Sequence, residues 1–177
     1  MMTKPKYWND ATKYLSKKDK KLKKIIKLHD GHLKTRNRPF YSLCKSIIGQ
    51  QVSVQSADSV WKKLVKKCKI ISPNSINSFS YDYIKSCGLT RQKTEYIKLL
   101  SLSFLNKTFV PSKLKNLDDE QAIEYLCKNK GIGRWTAEMF LIFSLNRPNI
   151  FPIQDIGMLK GISKNYNVPY PPSKEDL

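Results

Sequence analysis

The segment from Arg134 to Leu145 carries Trp135, Ala137, Met139, Phe140, Leu141, Ile142 and Phe143, so apolar side chains cover nearly every side of a helical wheel. A helix without a polar stripe has no face to offer water and must be surrounded by other elements. No run in the chain alternates apolar and polar residues between hairpin turns, so there is no sheet for this helix to pack on. The remaining apolar residues recur at i, i+3, i+4 and i+7, the period of helices that bury one stripe. The chain is therefore read as all-α, with the Arg134–Leu145 helix at its centre. At 177 residues and 40% hydrophobic content it is long enough for a core that needs no staples.

The other helices follow from periodicity and caps. Ser16 and Asp19 have the spacing of a capping pattern ahead of Leu22, Ile25, Ile26 and His29. Pro39 suits the start of a helix bearing Phe40, Leu43, Cys44, Ile47 and Ile48, and Gly49 interrupts it. The pattern resumes at Ala57, Val60, Trp61, Leu64 and Val65, leaving Gly49-Gln50-Gln51-Val52-Ser53 as the joint. The glutamines of that joint either bond back to the turn or present amides that can donate to and accept from a ligand. Ser72 to Ser75 reads as a loop, Gly88 closes a short helix, and Thr90 caps the next, in which Tyr96, Ile97, Leu100 and Phe104 align. Asp118 and Gln121 form a further capping pair. Val168 to Pro172 is extended, and Ser173 to Asp176 has the pattern of a helix N-terminus. His29 and His32 lack a third ligand and read as helix-end residues. Cys44, Cys68, Cys87 and Cys127 are irregularly spaced within helical patterns, as reduced core residues are.

Between the last two patterns the chain reads Gly131-Ile132-Gly133. A helix ends, two glycines bracket one apolar residue, and the next helix starts at once, so the N–H groups of its first turn stay unpaired. Those groups and the positive end of the helix dipole favour an anion, and glycine allows its close approach. A tight loop between packed helices has the same pattern. The formal net charge of +19, from 33 Lys and Arg against 14 Asp and Glu, favours the phosphate reading and nucleic acid as the polyanion. Only Arg36, Arg38, Arg91, Arg134 and Arg147 supply guanidinium groups; most of the charge is lysine, which strengthens non-specific DNA binding that falls steeply with salt. No apolar run resembles a leader or reaches membrane-spanning length, and with reduced cysteines a soluble, cytoplasmic protein is expected, nucleoid-associated if bacterial.

The ordered set Ile47-Ile48-Gly49-Gln50-Gln51-Val52-Ser53, Gly88-Leu89, Gly131-Ile132-Gly133-Arg134-Trp135-Thr136-Ala137, and Phe151-Pro152 with Asp155 resembles the helix-hairpin-helix DNA glycosylases. Within them it is similar to the 3-methyladenine DNA glycosylase II branch, over roughly residues 25 to 166. The resemblance implies one glycosylase domain over 1–177, with the hairpin at 120–146 and two helical lobes around a cleft. It implies a monofunctional glycosylase of base excision repair that hydrolyses the N-glycosidic bond of 3-methyladenine- or 7-methylguanine-type purines flipped out of double-stranded DNA. Asp155 would be the catalytic carboxylate, although it also suits the cap of a helix starting at Ile156. Trp135 and Met139 would line the base pocket, a core tryptophan being the plainer role. Gln50, Gln51, Ser53, Gly131, Gly133, Arg134 and Thr136 would contact DNA, with Gln51 in the place of the wedge that fills the gap left by the flipped base.

Relatives that nick the strand carry a Schiff-base lysine where this chain has Trp135, so no strand cleavage is expected. The resemblance also implies a sodium or potassium ion on the backbone carbonyls of Cys127, Asn129 and Ile132. No cofactor is required, the chain lacks the four-cysteine grouping of iron–sulfur relatives, and a monomer without membrane contact is expected. Larger members add an N-terminal α/β domain and the family continues beyond Leu177 with helices that complete one lobe; both are expected to be missing here. Two other classes use the same features: a non-catalytic DNA-binding module, and a glycosylase for mispaired adenine or an oxidised purine.

Overall fold

The computed structural model describes residues 4–34 and 37–177, so Arg36 lies outside the described residues. All regular structure among them is helical: α1 (Trp8–Lys18), α2 (Lys20–Leu28), α3 (Pro39–Gly49), α4 (Val54–Cys68), α5 (Pro73–Ser78), α6 (Tyr81–Lys85), α7 (Arg91–Leu105), a 3-10 segment (Pro111–Asn116), α8 (Asp119–Cys127), α9 (Arg134–Leu145) and α10 (Ile156–Tyr166).

The core belongs to the middle of the chain. Leu43, Cys44, Ile47 and Ile48 of α3 meet Leu64 of α4, Ile97 and Leu100 of α7, Leu126 of α8 and Phe140 and Leu141 of α9 in one buried cluster. Side chains of this size each contribute about 1.5–3 kcal/mol when fully removed from water. α3 packs on α4, α7 and α9. An aromatic run from Phe40 through Phe104 and Phe109 to Tyr125, each step 5.2 Å between centroids, carries the packing to the outer face of α8.

In contrast, α1, α2 and α10 have no buried residue. α1 packs on α2, and α2 is tied to the end of α10 by polar contacts. The Tyr166 hydroxyl donates to Asp19 Oδ2 at 2.5 Å, and Lys21 Nζ donates to the Tyr166 carbonyl at 2.9 Å. The bond raises Tyr166 to about 12 and holds Asp19 below its ordinary value.

Several local expectations are corrected. Ser16 lies inside α1, a helix the periodicity did not reveal, and Asp19 is itself the N-cap of α2, accepting from the N–H groups of Lys21 and Leu22. Ser72 caps α5, with Pro73 at its first position, so the expected loop is a helix start. Cys44, Cys68 and Cys87 are buried, but Cys127 is exposed at the end of α8. Ser173 and Asp176 bond to each other as a single polar turn. The central helix α9 has the expected bounds and buries Ala137, Phe140 and Leu141, yet Trp135 and Phe143 are 39% and 53% exposed. It closes at Asn146, whose φ of 52° is the left-handed conformation that ends a helix. Arg147 then ties this end down, donating to Asp119 at 2.6 Å and to the Leu117 carbonyl at 2.8 Å.

No helix of the described residues is long and apolar enough to cross a membrane.

Candidate DNA-binding and base-excision site

Asp118 and Gln121 close a full capping box, so α8 enters at a fixed angle and delivers the chain to Gly131. Gly131 has a φ of 87°, and a Cβ placed there would lie 2.2 Å from the Tyr96 ring. Glycine is therefore required both for the turn and for the packing of α7 against it. Gly133 differs: its φ is −87°, it is the N-cap of α9, and nothing stands within 4 Å of a Cβ placed there. No side chain caps α9, which leaves its first-turn N–H groups for a ligand.

This turn lines a groove of about 680 Å³ together with the joint between α3 and α4. Gln50, Gln51, Gly131, Gly133, Arg134, Trp135 and Thr136 all line it, as do Cys127, Asn129 and Ile132. Ser53 is not among the lining residues; its hydroxyl caps α4 by accepting from Ser56 N–H at 3.2 Å. Gln50 bonds back to the turn, its Nε2 donating to the Gly131 carbonyl at 2.8 Å and to Thr136 Oγ1 at 3.0 Å. Thr136 is buried, and its Oγ1 is occupied by the bond from Gln50. Gln51 is exposed with a left-handed φ of 54°.

The Arg134 guanidinium is engaged by two carboxylates. It bonds bidentately to Glu120, with Nη2–Oε2 at 2.8 Å, and through Nε to Glu138 at 3.1 Å. Glu120 is held below the ordinary carboxylate range by that cation, and Arg134 is raised in turn. Glu138 is only 3% exposed and pairs with Arg134. The spacing of Arg134 and Glu138 at i, i+4 was visible in the sequence as a helix-face pair. Lys93 and Tyr96, which also line the groove, carried no such signal. Burial pushes Lys93 below its ordinary value.

Asp155 stands at the other edge of Trp135. The indole Nε1 donates to Asp155 Oδ2 at 2.9 Å, and Asp155 Oδ1 accepts from Met158 N–H at 2.7 Å, capping α10. Gly157 leaves room for the carboxylate, since a Cβ there would come within 3.1 Å of Oδ1. Met139, one turn along α9 from Trp135, lines a different hollow of about 520 Å³ with Leu33, Ser42, Ser46 and Phe143. The structure therefore separates the two expected pocket residues along one stripe of α9 instead of placing them in a single cavity.

The carbonyls of Cys127 and Ile132 accept no hydrogen bond among the described residues, and that of Asn129 accepts one, from Ile132 N–H at 3.0 Å. These three oxygens retain lone pairs suited to a hard monovalent cation. No cluster of three His, Cys, Asp or Glu that could hold a metal exists among the described residues.

The model of the HhH-GPD superfamily of base excision DNA repair proteins matches residues 44–177. DNA-3-methyladenine glycosylase 1 of Schizosaccharomyces pombe is 28% identical over 170 residues, covering 91% of this chain and 74% of that protein. The DNA-3-methyladenine glycosylase of Saccharomyces cerevisiae is 33% identical over 175 residues, covering 89% of this chain and 59% of that protein. The solved structure of the S. pombe 3-methyladenine DNA glycosylase in complex with abasic DNA superposes with a TM-score of 0.81 at 26% identity, covering 94% of this chain and 84% of that one.

Proposed function

We infer what the site does from the premise that the chain belongs to the HhH-GPD superfamily of base excision DNA repair proteins. It is a monofunctional DNA glycosylase that hydrolyses the N-glycosidic bond of alkylated purines of the 3-methyladenine and 7-methylguanine class. The observation that carries this reading is the 2.9 Å bond between the Trp135 indole and the Asp155 carboxylate, made beside an uncapped helix turn. It joins an aromatic face, an anion and a phosphate grip within one stretch of chain.

Each part has a task. The glycosidic bond is inaccessible in the stack, so the damaged nucleotide must be turned out of the duplex. The turn at Gly131–Gly133 holds the DNA backbone through its N–H groups, and Gln51 fills the space the base leaves. An N3- or N7-alkylated purine carries positive charge and stacks favourably on the electron-rich face of Trp135. Met139 and Phe143 line the separate hollow further along α9 and take no part in this stacking. The base departs with the electron pair of the C1′–N bond, which neutralises its own charge, so no general acid is needed. The sugar left behind is oxocarbenium-like, and Asp155 stabilises that charge, orients the water whose oxygen bonds to C1′ and accepts the proton that the water gives up. An indole cannot form the Schiff base through which a lysine at position 135 would lead to strand cleavage. The carbonyls of Cys127, Asn129 and Ile132 would hold a sodium or potassium ion that adds positive charge where the turn meets a phosphate.

The test is release of free base from methylated duplex DNA at low salt by this chain and by its Asp155→Asn variant. Release of 3-methyladenine or 7-methylguanine that is lost in the variant, with DNA binding retained, supports the reading. Binding without any release would make the chain a DNA-binding module. Release of mispaired adenine or an oxidised purine instead would move the substrate class.

A further inference from the structure

Lys93 lines the groove, but its ammonium is turned to the end of α3. That helix stops at Gly49, and its last carbonyls have no intrahelical partner. From the first turn of α7, Lys93 Nζ donates to the Ile48 carbonyl at 2.8 Å and to the Gln50 carbonyl at 2.7 Å. Gln50 in turn donates to Gly131 and Thr136, residues on the two sides of the glycine turn. One helical turn along α7, Tyr96 packs against Gly131 so closely that no side chain fits between them. Thus α7 grips the joint through Lys93 and the turn through Tyr96, and Gln50 ties joint and turn together.

We propose that Lys93 is a positioning residue that, with Gln50, fixes the protruding Gln51-Val52 tip in register with the phosphate-holding turn. The part that opens the duplex and the part that holds its backbone then act as one body. This rests on the glycosylase reading of the site. It gives Lys93 a structural task, as Lys98 has at the carbonyls of Ile76, Asn77 and Phe79, in a chain of net charge +19 where the default role of a lysine is to meet phosphate. A base held about 1 Å out of place loses roughly 100-fold in rate, so register is worth fixing with two hydrogen-bonding side chains and a packed ring.

The experiment compares the intact chain with Lys93→Met, Gln50→Leu, the double variant and Lys93→Arg. On undamaged duplex, Lys93→Met should keep the wild-type slope of log K against log salt, whereas loss of a phosphate contact would reduce that slope by about 1. Amide hydrogen exchange over Gly49 to Ser53 should rise in both single variants. Single-turnover base release should fall by about 10- to 100-fold in each. The double variant should be no worse than the more impaired single one, because both act through one tie. Lys93→Arg, which keeps donors for the two carbonyls, should recover most of the rate. A shallower salt slope with unchanged loop exchange would make Lys93 a phosphate contact and overturn the proposal, as would additive losses. Should Lys93→Met fail to fold, Gln50→Leu and Lys93→Arg decide by the same readouts. If the wild type releases no base, the glycosylase reading fails while loop exchange still decides the brace.

Discussion

The two glycines of the turn look equivalent in sequence, and the structure predicts opposite outcomes for replacing them. Gly131→Ala puts a methyl 2.2 Å from Tyr96 Cδ2 at a φ of 87°. The left-handed conformation costs an alanine about 1–2 kcal/mol. Displacing a packed ring adds about 1–3 kcal/mol, and the stiffer unfolded chain returns about 0.4–1 kcal/mol. The net is a loss of about 1–5 kcal/mol, which for a chain of this size lowers Tm by roughly 2–18 °C. Gly133→Ala meets nothing within 4 Å and keeps an ordinary φ of −87°. Its weaker N-cap and its stiffer unfolded chain nearly offset, so stability should stay within about 1 kcal/mol. The methyl instead stands where a phosphate approaches the backbone, and loss of one charge-assisted contact weakens DNA affinity about tenfold or more. Thermal melts and fluorescence-anisotropy titrations at fixed salt separate the two. Equal melting losses for both variants, or full DNA affinity in Gly133→Ala, would refute the assignment of packing to one glycine and phosphate approach to the other.

Asp155→Asn should abolish base release by a factor on the order of 100 or more while shifting Tm only slightly, because asparagine caps α10 nearly as well; single-turnover release and a melt measured together check both halves. Trp135→Phe keeps an aromatic face but removes the donor to Asp155, so kcat should fall about tenfold with a smaller change in KM, read from steady-state kinetics on methylated DNA. The α2–α10 tie should depend on pH at both ends. Asp19 is held below its ordinary value, so its contribution is present above that value and is lost as pH falls through the lowered one. Tyr166 is raised to about 12, so its contribution is complete below about pH 10 and lost as pH climbs toward that raised value. Amide exchange in α2 and α10 followed against pH should show both losses, and Tyr166→Phe should flatten them.

Much of this was legible in the chain because it is carried by local physics. Pro39, Thr90, Asp118 with Gln121, and the bounds of α9 follow from capping rules that need no tertiary partner. The all-round apolarity of α9 was read as burial, and there the inference failed for Trp135 and Phe143. An apolar side chain can be held at the surface for a ligand, and periodicity does not distinguish that from a core. α1 was missed because Trp8, Ala11 and Leu15, at i, i+3 and i+7, make only a short stripe among polar residues. Gln50 shows a different gap. Its neighbour Gln51 has the same side chain, and only the fold reveals that the first glutamine turns inward to Gly131 and Thr136 while the second is exposed. Lys93 was hidden by abundance, since one lysine among many announces no partner.

Asp155 is both a helix cap and the carboxylate of the proposed chemistry, and the geometry makes these roles support each other. A carboxylate that stabilises a developing sugar cation must already occupy the right place, because the advantage over water lies in not having to reorganise during the reaction. A free aspartate rotates about two bonds. Here Met158 N–H takes Oδ1 and the Trp135 indole takes Oδ2, so both rotations are fixed by donors on two different helices. Each donor draws some charge from the anion, which is a cost; the return is position, and in a site of this kind position is the larger factor. The same bond orients the indole plane, so the aromatic face that would receive a cationic base and the anion that would receive the sugar charge are aligned by a single contact. The cap therefore sets the geometry in which the carboxylate acts, and a variant that keeps the cap while removing the charge isolates the chemistry from the fold.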